Sequence, residues 1–210
     1  PRMRNAFFRQ VRLVAALAIP IGVATVVFAH DFVYAVLNES WAPAIVPMQI
    51  LAVYGVIRAV ASNMGVIFQA GGKPQWLASI AAWRLITMAV LLYPFIRWSG
   101  LVGVSLLSAG VAMVDFVISA YLADKILQAR MVVYLRITGP MLIYALLAGG
   151  LGYLLNQGLL ALGLWDVAAL LAGGALLALV YGLLTWWRDK ELRQEMDTAL
   201  AGLRRRARRA

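Results

Sequence analysis

Cysteine is absent from this chain, and histidine occurs once, as His30. No disulfide and no thiolate-bound metal can form, and a lone imidazole cannot assemble a metal cluster. Neither a metal nor a cofactor is expected. Charge is scarce too: only 13% of the residues are charged, with nine acidic side chains against 19 basic ones. Soluble domains carry about 25% charged residues, so most of these side chains must face something other than water. The patterns of enzyme chemistry are also missing. There is no His-Glu metal pair, no Gly-x-Ser-x-Gly elbow, and no glycine loop closing on Lys-Ser or Lys-Thr; Gly71-Gly72-Lys73-Pro74 reads as a turn. No catalytic residue is assigned, and the chain is read as a non-enzyme.

What the sequence does contain is apolar length. Apolar residues make up 63% of the 210, and the mean hydropathy is +0.83. A helix of about 20 apolar residues crosses a hydrocarbon core of roughly 30 Å. Runs with little or no charge fall at 13–29, 45–68, 76–96, 101–123, 137–155 and 167–187. They are far longer than the roughly 10 residues of a barrel strand and do not alternate. The predicted fold is an all-α polytopic membrane bundle of six transmembrane helices. Breaker residues supply the connections, at Asn38 to Pro43, Gly71 to Pro74, Trp98-Ser99-Gly100 and Asn156-Gln157-Gly158. Pro20 should bend the first span. Residues 32–37 read as an interfacial continuation of it, and His30 as a solvated end-of-helix residue. The start, Pro1-Arg2-Met3-Arg4, has no initiator methionine and no cleavage site. The first run is therefore read as a span, and the chain as part of a longer protein.

The distribution of Lys and Arg orients these runs. Under strict alternation one side takes Arg2, Arg4, Arg9, Arg12, Lys73, Lys125, Arg130, Arg136 and the basic residues from Arg188 to Arg209, while the other takes Arg97 alone. The positive-inside rule then places both termini of this multi-pass chain in the cytoplasm. Residues 1–12 form a cytoplasmic amphipathic lead, 13–127 four membrane helices, 128–187 two further helices, and 188–210 a basic cytoplasmic tail. With Leu192, Met196, Leu200 and Leu203 at helical spacing and five arginines at its end, the tail suits anionic membrane lipids rather than nucleic acid. Tryptophans at 41, 76, 98, 165, 186 and 187 fall at the ends of the runs, as an aromatic belt does.

Arg58, Arg84 and Asp115 lie inside predicted spans, where an ionised side chain costs about 2.5 to 3.5 kcal/mol on insertion scales. Counted from the cytoplasmic ends of their spans they are eight to ten residues deep, roughly 12 to 15 Å at the helical rise. All three thus share one level and are candidates to meet. Tyr54, Ser62, Gly65 and Gln69 share the Arg58 face, and Ser105, Ser108 and Ser119 share the Asp115 face. The candidate substrate-cavity residues are Arg58, Arg84, Asp115, Tyr54, Ser62, Gln69, Ser108 and Ser119. Two readings stay open: the arginines pair with Asp115 to stitch helices together, or two cations against one carboxylate leave positive charge for an anionic substrate. The last two helices show no polar stripe and are expected to be peripheral.

The order of local patterns resembles a known family. Phe7-Phe8-Arg9-Gln10-Val11-Arg12, Ala18-Ile19-Pro20-Ile21-Gly22, Val36-Leu37-Asn38-Glu39-Ser40-Trp41-Ala42-Pro43-Ala44, Leu51-Ala52 and Gln69-Ala70-Gly71-Gly72-Lys73-Pro74 follow one another. Over roughly residues 7–127 this set resembles the C-terminal half of Wzx-type polysaccharide flippases of the MOP exporter superfamily. The resemblance implies a MATE-like two-lobe transporter that moves an undecaprenyl-diphosphate-linked oligosaccharide to the outer leaflet for surface polysaccharide or lipopolysaccharide biosynthesis. This chain would hold the last four helices of the second lobe and two more. Polysaccharide assembly proteins are implied partners. The competing expectations are a cation-coupled drug exporter of the same superfamily, whose cavity should be acidic and aromatic, and a non-transporting membrane subunit of a polysaccharide synthase.

Overall fold

The computed structural model describes residues 2–127 and 132–188. Helix α1 is Arg2–Phe32; a π-helical turn, Val33–Leu37, and a 3-10 turn, Glu39–Ala44, follow it. Then come α2 (Ile45–Ser62), α3 (Met64–Ala70), α4 (Gln75–Leu127), α5 (Val132–Ala161) and α6 (Asp166–Arg188). Every regular element among the described residues is helical. The predicted basic tail beyond Arg188 lies outside them.

Among the described residues, five helical segments, not six, are long and apolar enough to cross a membrane. The difference lies in α4, whose 53 residues contain both the third and the fourth predicted spans. A straight helix of that length would reach about 80 Å. It is not straight. Ser99 and Gly100 leave helical geometry, and Gly100 takes φ 55°, a left-handed conformation that glycine adopts without the Cβ penalty. Arg84 and Asp115, 31 positions apart, are hydrogen-bonded at 3.0 Å, whereas a straight helix would separate them by about 46 Å. Residues 75–98 and 101–127 therefore fold back on each other as a hairpin without an extended loop. The arms touch near its tip: a Cβ on Gly103 would collide with the Phe95 carbonyl oxygen.

Helix α1 is the centre of the packing. Phe7, Val11, Ala15, Ile19 and Val23 are buried at four-residue spacing, a single stripe along the helix. Phe7 and Val11 show α1 running unbroken through the predicted amphipathic lead. The last two helices are not peripheral. Tyr134, Met141, Ala145 and Ala148 of α5 and Leu177 and Tyr181 of α6 join the same core, and the Tyr181 hydroxyl donates to the Ala16 carbonyl at 3.0 Å. Small residues permit this. A Cβ on Gly152 would sit 2.6 Å from the Gly173 oxygen, so α5 and α6 meet almost backbone to backbone.

Outward, each long helix presents bulky apolar side chains, among them Leu17, Val53, Leu85, Leu151 and Leu171. Trp41, Trp98, Trp165 and Trp187 are exposed near element ends. A water-soluble monomer rarely carries apolar patches on this scale; the chain is a multi-pass membrane protein. The hairpin has a direct consequence for topology. Lys73, just before α4, and Lys125, at its end, should lie on one side of the membrane, with Trp98 on the other. Cysteines introduced singly into this cysteine-free stretch report position. With a membrane-impermeant maleimide, Lys73→Cys and Lys125→Cys are expected to behave alike and Trp98→Cys oppositely, one set labelling on intact cells and the other only after permeabilisation.

Candidate functional site

Three helical segments bring the buried charges together. Arg58 comes from the last turns of α2, Arg84 from the first arm of α4 and Asp115 from the second arm. Nη1 of Arg58 and Nη1 of Arg84 each donate to the same oxygen, Oδ2 of Asp115, at 3.0 Å. The carboxylate side chain is 4% exposed and each arginine side chain 35%. The equal depths counted from the sequence thus end in contact, and the first open reading, pairing, is realised twice on one carboxylate.

Pairing does not exhaust the charge. Two guanidiniums against one carboxylate leave one net positive charge. Each guanidinium has five N–H donors and no acceptor, and Asp115 takes one donor from each. A cavity of about 230 Å³ opens beside them, lined by Ser62, Gly65, Phe68, Leu77 and Ser119 in addition to the three charged residues. Such a site, with fixed forks of donors and apolar walls, matches a phosphate or carboxylate group. Asp115 holds the two forks in place. Among the described residues no group of three metal-ligating side chains occurs.

Not every residue assigned from the sequence reaches this cleft. Ser62 and Ser119 line it; Tyr54, Gln69 and Ser108 do not. Gln69 shares the face of Arg58. Asn63 keeps helical dihedrals between α2 and α3, donating its side-chain amide to the Ala59 and Val60 carbonyls; Gly65 on that face lines the cavity, while Gln69, one turn further on, is exposed near the end of α3. Tyr54 lies one turn before Arg58, away from the cavity. The Ser108 hydroxyl donates to its own helix, at the Val104 carbonyl.

A second polar cluster lies at the other end of α1 and was not assigned as a site. Asn156 is fully buried, and its Nδ2 donates to Oδ2 of Asp31; His30 Nδ1 stands 3.3 Å from Oδ1 of the same carboxylate. In the sequence, Asn156-Gln157-Gly158 reads as a turn, whereas α5 continues through it to Ala161.

No family profile matches the chain, and no solved structure does either. Two curated proteins are similar to parts of it. Over 105 residues, half of the chain, it is 28% identical to an "uncharacterized membrane protein in cps region" of Klebsiella pneumoniae, covering 22% of that protein. Over 144 residues, 68% of the chain, it is 23% identical to the teichuronic acid biosynthesis protein TuaB of Bacillus subtilis (strain 168), covering 30% of that protein. The matched stretch is thus less than a third of the length of either relative.

The shared carboxylate sets a stability pattern. Asp115→Asn strands two cations in an apolar cleft and should cost about 2 kcal/mol, below the full cost of breaking a buried pair because the arginines are partly wet. Arg58→Gln or Arg84→Gln leaves Asp115 its other partner and should cost about 1 kcal/mol. The double arginine variant should exceed the sum of the singles. Unfolding titrations in detergent check this ordering.

Proposed function

We propose that this chain forms part of a Wzx-type flippase of the MOP superfamily, which carries an undecaprenyl-diphosphate-linked oligosaccharide across the bacterial inner membrane during surface polysaccharide biosynthesis. The observation that carries the reading is the pair of arginines on one buried carboxylate, facing a cavity in the bundle. A diphosphate is the group such a site fits: compact, doubly anionic, and matched to paired donor forks. Membrane location and the relatives' association with a cps region and with teichuronic acid biosynthesis support the same substrate class.

In this reading the α4 hairpin crosses the membrane twice, making six crossings in all, with both ends cytoplasmic. The arginines then lie in the cytoplasmic half, where a lipid-linked diphosphate is first met. They hold the headgroup while access alternates between the two faces of the membrane. A drug or cation exporter should line its cavity with acidic and aromatic side chains, whereas two arginines face this one.

Complementation of a flippase-null strain with the full-length protein tests the proposal. Arg58→Ala and Arg84→Ala at matched expression are each expected to lower surface-polymer export about tenfold, and the double variant to abolish it, since each removes a charge-assisted contact worth about 1.5 to 3 kcal/mol. Export at the wild-type level in the double variant would reduce the arginines to helix packing.

A further inference from the structure

At the end of the bundle opposite Lys73 and Lys125, three helices line a second cavity, of about 830 Å³. Asp31 comes from the end of α1, Gln49 from the first turns of α2, and Tyr153 and Gln157 from the last turns of α5. On α5 the wall is a single stripe, since Gly150, Tyr153, Gln157 and Leu160 recur at three- and four-residue spacing. Small-molecule sites occupy roughly 300 to 1,000 Å³ and combine apolar walls with a few placed polar groups. This cavity meets both conditions.

Its polar groups keep hydrogen-bonding capacity in reserve. Asp31 takes the Asn156 amide on Oδ2 and stands opposite His30 Nδ1 on Oδ1, but an ionised carboxylate has about four acceptor positions, so two remain. Gln49 donates its Nε2 to the Val26 carbonyl, which leaves its amide oxygen free to accept. The side chain of Gln157 has no hydrogen bond to another described residue. Carboxamides and a carboxylate inside an apolar bundle are costly unless something polar meets them.

The lining also decides the charge of what it meets. Among the described residues no lysine or arginine borders the cavity, and the single basic side chain there, His30, is 67% exposed. Asp31 therefore repels an anion, the reverse of the arginine cleft. The two sites are separate as well: Gln49 and Arg58 are nine residues apart on α2, about 13.5 Å along the axis and half a turn around it.

We infer that this cavity binds an uncharged sugar, free or carried on a lipid. A sugar hydroxyl both donates and accepts, which suits a mixed set of carboxylate and carboxamides: hydroxyls donate to Asp31 and to the Gln49 oxygen, and accept from the Gln157 amide. The ring of Tyr153, 41% exposed, offers a face of negative quadrupole to the polarised C–H groups of a pyranose. Neither a phosphate nor an acyl chain uses this combination.

The test uses the full-length protein in lipid nanodiscs, with saturation-transfer difference NMR of the methyl glycosides of glucose, galactose, mannose, rhamnose, fucose and N-acetylglucosamine. At least one is expected to give a saturable signal above that of empty nanodiscs. Tyr153→Ala and Gln157→Ala should each weaken its half-saturation about fivefold. Leu154→Ala, exposed on the same helix, should leave it unchanged. So should the Arg58→Ala, Arg84→Ala double variant, which makes the result independent of whether the arginines hold a diphosphate. A lipid-borne sugar is marked by reduced polymer export in Tyr153→Ala, a free one by normal export with the weakened signal. Absence of a saturable signal from all of the glycosides would overturn the inference. An undiminished signal in folded Tyr153→Ala and Gln157→Ala would do the same.

Discussion

Three distant stretches of chain depend on one carboxylate oxygen. Arg58 and Arg84 both donate to Oδ2 of Asp115, and a charge carried into an apolar phase is tolerable only when it is met in this way. The contact fixes α2 against both arms of α4 and sets where the hairpin must close: residues 84 and 115 can meet only if the chain reverses near their midpoint, at Ser99 and Gly100. The same contact defines the cleft, because it orients two donor forks while satisfying only part of their capacity. Stability and binding thus draw on one group, and the positive charge left over is the feature available for a ligand.

Around that cleft the bundle is organised differently. α1, α5 and α6 share a core in which Phe28 and Tyr181 pack among small and aliphatic side chains, and they approach closely through Gly149, Gly152 and Gly173. Without a hydrophobic drive between helices in lipid, this close packing supplies the association. An aromatic cluster lies at one end, where Phe7, Phe8, Phe116 and Tyr134 stack edge to face. α2 and the first arm of α4 are the more exposed part of the bundle, and they carry the two arginines.

The sequence made much of this legible, for identifiable reasons. Insertion energetics marks charges in apolar runs, and a fixed rise per residue turns their positions into depths, so the meeting of Arg58, Arg84 and Asp115 could be anticipated. The hairpin was harder to read: Trp98-Ser99-Gly100 suggests a loop between two helices, but the reversal needs only two non-helical residues. Gln69 falls outside the cleft because a helical wheel gives a face but not how far a cavity extends along it: Gly65 lines the cavity, and Gln69, a turn beyond, does not. Asn156 was hidden because Asn-Gln-Gly has turn chemistry; only the packing of α5 on α1 and α6 reveals that it is buried, partnered with Asp31 and half unsatisfied. The peripheral role expected of α5 and α6 fails for a related reason: a stripe of small residues carries no polar signal, yet it lets the two helices meet almost backbone to backbone at Gly152 and Gly173.

The central claim, that the arginine cleft holds an anionic lipid headgroup, is tested most directly by binding. Full-length protein in nanodiscs would be titrated with undecaprenyl diphosphate and, separately, with undecaprenol, with native mass spectrometry reading occupancy. The account predicts at least tenfold preference for the diphosphate, falling to none in the Arg58→Ala, Arg84→Ala double variant. Equal affinity for the two lipids in the wild type, or an undiminished preference in the double variant, would contradict it.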